Sequence, residues 1–258
     1  MITSIKKLRV VFIICSMLLS AQIIKAQLNL DVETGVVVTG YNDVRIPGST
    51  GTFISFPDDL GSSPGLFGRI TLGYKFGKGS EILALYAPLT VKYEGAMGSD
   101  VDFFGETFPS STPILATYKF NSYRATYRYN VLRRDNINIA LGLTIKVRDA
   151  FIGLKQGNLE AKKTDLGAVP LINFGVYWQP TDNIGITLEG DALAAPSGRA
   201  EDVLLAFNYD VSDIITLKAG YRILEGGADN EKLYTFSMFH YGVVGIVIKI
   251  PTLVNGGL

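Results

Sequence analysis

From Ile137 to Arg148 the chain alternates without a break. Ile137, Ile139, Leu141, Leu143, Ile145 and Val147 hold one parity, and Asn138, Ala140, Gly142, Thr144, Lys146 and Arg148 hold the other. Side chains on a strand point to opposite faces in turn, so a period of two over twelve residues describes a strand with one apolar and one polar face. The pattern recurs. Ile215, Leu217, Ala219, Tyr221 and Ile223 oppose Thr216, Lys218, Gly220 and Arg222, while Ile184, Ile186 and Leu188 oppose Gly185, Thr187, Glu189 and Asp191. Such segments of Val, Ile, Tyr and Thr, separated by turn residues, fall near 29–42, 65–76, 81–93, 114–130, 136–152, 164–178, 183–194, 201–210, 213–224 and 232–250.

The connections between them alternate in length. The joins at Gly77–Ser80, Val131–Asp135, Gln179–Asn183 and Asp210–Asp213 are tight. Those at 43–64, 94–113 and 153–163 are long, with shorter ones at 195–200 and 225–231. Short turns at one end and long loops at the other are the layout of a transmembrane barrel with periplasmic turns and outer loops. Beyond the first 26 residues no stretch approaches the ~20 apolar residues of a membrane helix, and a closed barrel is the other way to pair every backbone group in lipid. The expected fold is all-β, a single antiparallel up-and-down transmembrane barrel of about ten strands. Eight or twelve strands fit less well.

The first residues fix the expected compartment. Lys6, Lys7 and Arg9 precede an apolar run from Val10 to Leu19, with a cleavage site after Ala26, or alternatively after Ala21. That is the layout of a secretory signal, giving residues 1–26 as signal peptide and 27–258 as the outer-membrane barrel domain. The single cysteine, Cys15, lies in the signal, so the exported part has neither disulfides nor Cys-ligated metal. Setting aside the four basic residues of the signal, the 24 acidic residues outnumber the basic ones left, which argues against a nucleic-acid partner. One histidine is a poor basis for a zinc site, and no cofactor motif stands at meaningful spacing.

Three stretches, Phe120–Tyr129, Asp191–Arg199 and Tyr221–Asn230, resemble a group of small bacterial outer-membrane barrel proteins that generally go without an assigned activity. The resemblance spans roughly 115–250. It implies the fold and no chemistry. The chain departs from the usual barrel ending by continuing from Ile250 through Pro251 to Leu258 instead of closing on an aromatic residue.

Parity picks out the candidate residues. Arg124, Arg128, Lys146, Arg148, Glu189, Asp191, Lys218 and Arg222 share the polar face, where charges in a narrow lumen must compensate one another. They form either a stabilising plug or a constricted, anion-leaning solute channel. Tyr74, Phe76, Tyr127, Tyr129, Tyr177, Trp178 and Tyr209 sit near strand ends as an interfacial girdle. In the loops, Phe103, Phe104 and Phe108 stand beside Asp100, Asp102 and Glu106, and they either grip an extracellular ligand or pack on the barrel mouth. His240 falls on the lipid-facing parity, where a lipid hydrolase or acyltransferase would place a general base, but Ser237 lies on the opposite face. Glu225–Asn230 lacks calcium-loop spacing, and Gly226 and Gly227 read as an outer turn. In the fourth strand, Lys119 and Asn121 fall on the apolar parity, so either a bulge intervenes or the strand has left the hydrocarbon there.

The leading expectation is a non-enzymatic structural or binding barrel. Its partners would be outer-membrane lipid, the barrel-assembly machinery, and an extracellular ligand at loops 43–64 and 94–113. The alternatives are the narrow channel, the outer-leaflet lipid enzyme, and a soluble periplasmic lipocalin-like barrel with the two faces exchanged.

Overall fold

The structure is a computed structural model that describes residues 27–196 and 198–251; the expected signal peptide lies outside the described residues. The strands are β1 (Gln27–Arg45), β2 (Ile54–Ser55), β3 (Gly65–Phe76), β4 (Ser80–Ala87), β5 (Thr90–Ala96), β6 (Val101–Phe103), β7 (Glu106–Phe108), β8 (Pro113–Arg133), β9 (Ile137–Gln156), β10 (Leu159–Trp178), β11 (Ile184–Ala195), β12 (Gly198–Ser212), β13 (Ile215–Asn230) and β14 (Leu233–Pro251), with a π-helical turn at Phe56–Leu60. The wall runs antiparallel from β1 through β3, β4, β8 and onward to β14, and β14 returns to pair with β1 from Gln27↔Pro251 to Arg45↔Tyr234. β4 and β5 both pair with β8 and share one place in the wall. They part at Pro88, which has no backbone N–H to give a ladder. The barrel therefore has ten wall positions, as the dyads predict.

The two faces are set by the same alternation. Leu141, Leu143, Ile145 and Val147 of β9, Leu205, Phe207 and Tyr209 of β12, and Leu217 and Tyr221 of β13 are exposed on the outside. Thr144, Lys146, Lys218 and Arg222, their polar neighbours, are buried inside. A soluble barrel has the reverse polarity. Tyr74, Tyr127, Tyr129, Trp178 and Tyr209 are exposed at the end that carries the tight turns, and Phe76 stacks on Tyr74. Tyr177 departs from the girdle expected of it. It points inward, and its hydroxyl donates to Glu189 at 2.8 Å. The sheet closes through β14 on β1 and presents an apolar exterior around a charged interior, as a barrel that pairs its backbone in lipid must. The chain is a bacterial outer-membrane β-barrel.

The strands outrun the expected boundaries at their outer ends. β8, β9 and β10 have 21, 20 and 20 residues, where a tilted strand needs ~9–11 to cross the bilayer. The expected long connection 153–163 is instead continuous strand around a two-residue turn, with Gly157 at φ 59. Above the membrane both faces of the hairpin are polar or mixed, so the dyad that marks a strand in lipid disappears. Gly226 and Gly227 likewise belong to β13 rather than to a turn. A Cβ at Gly227 would lie 2.1 Å from the carbonyl oxygen of Thr235. The β8–β9 register is unbroken through Lys119 and Asn121 and shifts only between Asn130 and Leu132. No bulge intervenes: Lys119 has risen out of the hydrocarbon and pairs with Asp149 at 2.6 Å on the outer surface.

Candidate functional site

Three structures fill the barrel along its axis: a charge lattice, a cavity above it and a cap over part of the mouth. The lattice centres on Asp202 of β12. Its carboxylate accepts from Arg69 at 3.0 Å, Arg124 at 2.6 Å and Arg222 at 2.6 Å, which reach it from β3, β8 and β13. Arg222 also donates to Glu33 of β1 at 2.8 Å, and Arg124 to Asp191 at 2.7 Å. Asp191 accepts further from Thr144 at 2.6 Å and Asn173 at 2.8 Å. Nearer the periplasmic end, Arg128 donates to Glu81 at 2.7 Å and to Glu189 at 3.4 Å. Asp31, Glu33 and Glu189 bring carboxylate oxygens within 4.8 Å of one another. Lys218 supplies their counter-charge, bonding Asp31 and, at 3.0 Å, Glu33. Removing one partner from such a buried set leaves an uncompensated charge, which is far costlier than the net worth of the pair.

Parity thus brings Arg124, Arg128, Glu189, Asp191, Lys218 and Arg222 into the lattice. It also needs residues that sequence reasoning passed over: Asp31, Glu33, Arg69, Glu81 and Asp202. Each stands on the inward parity of its strand, which was the available signal. Lys146 and Arg148 lie outside the lattice. Arg148 pairs with Asp165 of β10 at the outer end of the lumen. Lys146 is 4% exposed and has no carboxylate within 4.0 Å among the described residues; its ammonium lies 4.6 Å from the centre of the Phe120 ring.

Both basic residues line a cavity of about 80 Å³ between the inner faces of β8–β10 and β12–β14, with Phe120, Val169, Leu224 and Phe239 supplying apolar wall. Tyr118 and Ser237, bonded at 3.0 Å, stand at its outer side, and burial pushes the Tyr118 hydroxyl up to about 12. The hydroxyl is therefore neutral at physiological pH.

The cap is built by the two long loops. Val44, Ile46, Ile54, Phe56, Leu60, Tyr93, Val101, Phe103 and Phe108 form one apolar cluster with Ile114, Tyr118, Ile152 and Leu154 of the projecting strands. Phe103 and Phe108 are 1% and 0% exposed, so they pack the mouth. Phe104, at φ 48 on the tip of the β6–β7 hairpin and 44% exposed, is the one of the three presented outward.

His240 lies on the outer face, its ring 6.0 Å from that of Tyr221 and its Nδ1 2.5 Å from the Tyr221 hydroxyl. Ser237 points inward to Tyr118, so the two do not meet. Above the lipid, Arg199 donates to Glu225 at 2.8 Å and Tyr41 bonds the same carboxylate. Burial raises the Glu225 carboxyl, but the hydrogen bonds from Arg199 and Tyr41 outweigh it and hold the group below its usual range.

The fold is similar to that of the outer membrane protease OmpT from Escherichia coli, with a TM-score of 0.53 and 9% identity over 87% of this chain and 97% of that one. Neisserial surface protein A aligns at a TM-score of 0.36 and 15% identity, over 87% of this chain and 97% of its own. The attachment invasion locus protein Ail of Yersinia pestis aligns at 0.40 and 9%, over 86% and 99%. At these identities the OmpT likeness speaks to fold alone. No protein-family model matches the chain, and no curated protein matches it in sequence.

Proposed function

We propose that this outer-membrane barrel is a non-conducting, non-enzymatic binding protein that works at its outer end. The observation that carries the reading is the lattice on Asp202. Arginines from β3, β8 and β13 converge on one carboxylate of β12, joining opposite walls of the barrel. Ten strands enclose a lumen little wider than its side chains, so these bridges leave no continuous aqueous path. Above them the chain carries its irregular segments, its cavity and the outward loop aromatics Phe53 and Phe104, where binding residues on a rigid scaffold are commonly found.

Planar-bilayer recording of the purified barrel tests this. The expected record has no stepwise conductance, whereas the double variant Asp202→Ser with Arg222→Ser, which removes the central bridges, acquires steps. Wild-type steps that collapse on charge reversal at Arg222 or Lys218 would replace the binding reading with that of a narrow channel.

A further inference from the structure

We propose that the cavity beneath the cap binds a single-chain anionic amphiphile, its head held by Lys146 and Arg148 and its tail leaving sideways between β10 and β11 into the outer leaflet. Lys146 is a buried lysine with no carboxylate partner among the described residues, and it lines the cavity. Arg148 Nε and Thr235 Oγ1, on lining residues from opposite walls, are buried without a hydrogen-bond partner. Buried polar groups are rarely left unsatisfied, and an unpaired cation least of all. Arg148 keeps Asp165 as its counter-ion while Lys146 has none among the described residues, so Lys146, the free Arg148 Nε and the Thr235 hydroxyl around one space call for an anionic head. Phe120, Val169, Leu224 and Phe239 call for hydrocarbon beside it.

The wall supplies the exit. β10 has 20 residues and its neighbour β11 only 12. Their ladder stops at Ile172↔Ala192, and β11 turns back at Pro196. From Leu159 to Leu171, β10 has no strand on that side among the described residues. Pro170, two residues past the last pair, has no N–H with which to extend the ladder. Outward along this free edge stand Glu160, Lys162 and Thr164 at the top and the exposed, apolar Leu166, Ala168 and Pro170 below them, so the lower part of the opening faces lipid. Val169 and Asp165, which alternate with them, face the cavity. A cavity of about 80 Å³ takes a head group and the first carbons of a chain. The gap gives the rest of the tail a path into the bilayer.

The inference rests on the binding reading above. Its test uses the full barrel in phosphatidylcholine nanodiscs and a dodecanoate carrying a photoreactive diazirine near its tail. Labelling is expected on β10 and β11 beside the gap, saturable, and displaced by unlabelled dodecanoate but not by acetate. Lys146→Gln removes a charge-assisted contact and is expected to weaken apparent affinity by roughly tenfold. Val169→Trp fills the cavity without touching a charge and is expected to abolish saturable labelling, with heat-modifiability on a denaturing gel confirming that both variants fold. Labelling spread evenly around the apolar belt and indifferent to both substitutions would overturn the site. Displacement by acetate as strong as by dodecanoate would overturn the amphiphile in favour of a water-soluble anion. Stepwise conductance with Lys146-dependent labelling intact would sink the closed-lumen reading and leave this one standing.

Discussion

Asp202 is where the cost of a single substitution concentrates. It is 2% exposed and accepts from three guanidinium groups on three strands. Asp202→Ala would leave Arg69, Arg124 and Arg222 facing one another with Glu33 and Asp191 as the acids still bonded to them. Breaking a buried pair in this way costs about 3–5 kcal/mol. The folded, faster-migrating gel band should therefore be lost at a lower urea concentration than in wild type, while Glu201→Ala, an exposed neighbour, leaves the midpoint unchanged. Equal midpoints would mean that water reaches the lattice and screens it. The strands bearing the lattice were legible in the sequence, yet its central acid was not singled out. Asp202 is followed on its own face by Leu204 and Ala206, so β12 lacks the polar inner stripe that marks Arg124–Arg128 or Lys218–Arg222. Ion pairing across a barrel is long-range information that periodicity within one strand does not carry.

Elements inside the hydrocarbon were readable because lipid imposes the two-residue period on them; elements above it were not. The outer ends of β9 and β10, residues 153–156 and 159–163, read as loop because Lys155, Glu160 and Lys162 replace the apolar outward set, although hydrogen bonding continues from Leu159↔Gln156 to Trp178↔Ile137. The loops 43–64 and 94–113 lie where the sequence puts them, but their inward packing was one of two open readings. Here the β6–β7 hairpin separates two roles along three residues. Phe103 and Phe108 anchor the cap, while Phe104 sits at the tip with a positive φ that bulky residues rarely adopt. Phe108→Ala removes a fully buried ring, a change that typically costs about 3–5 kcal/mol. The expected loss is local: on intact cells, external protease should cut within residues 97–112 much faster than in wild type, with the barrel band on an unheated gel unchanged. Phe104→Ala should not accelerate cleavage. If Phe108→Ala is as resistant as wild type, the cap is held by the projecting strands and not by its aromatic anchors.

At the scale of the whole molecule, one property decides every reading: which face of the closed sheet meets lipid. The alternation in the sequence fits a transmembrane barrel and its inside-out soluble counterpart equally well, because a period of two says nothing about sign. The sign comes from volume and charge together. A ten-position barrel has little interior space, and in this one the inner parity holds the buried Arg69, Arg124, Arg128, Lys218 and Arg222 matched by carboxylates, while the outer parity carries unpaired Leu, Ile and Phe. Exchanging the faces would put unmatched hydrocarbon in water and leave the matched charges no reason to be matched. Residues 27–258 contain no cysteine, so single cysteines can be read one at a time. Bimane attached at Leu143, Ile145, Leu205 or Phe207 should be quenched by brominated lipid. Bimane at Gly142, Thr144 or Ala206, one residue along the same strands, should be protected from it wherever the label is accepted at all. A period-two quenching pattern of that phase places the apolar belt in the bilayer. The opposite phase would turn the barrel inside out, and with it the charge lattice, the cavity and the side opening would lose their meaning together.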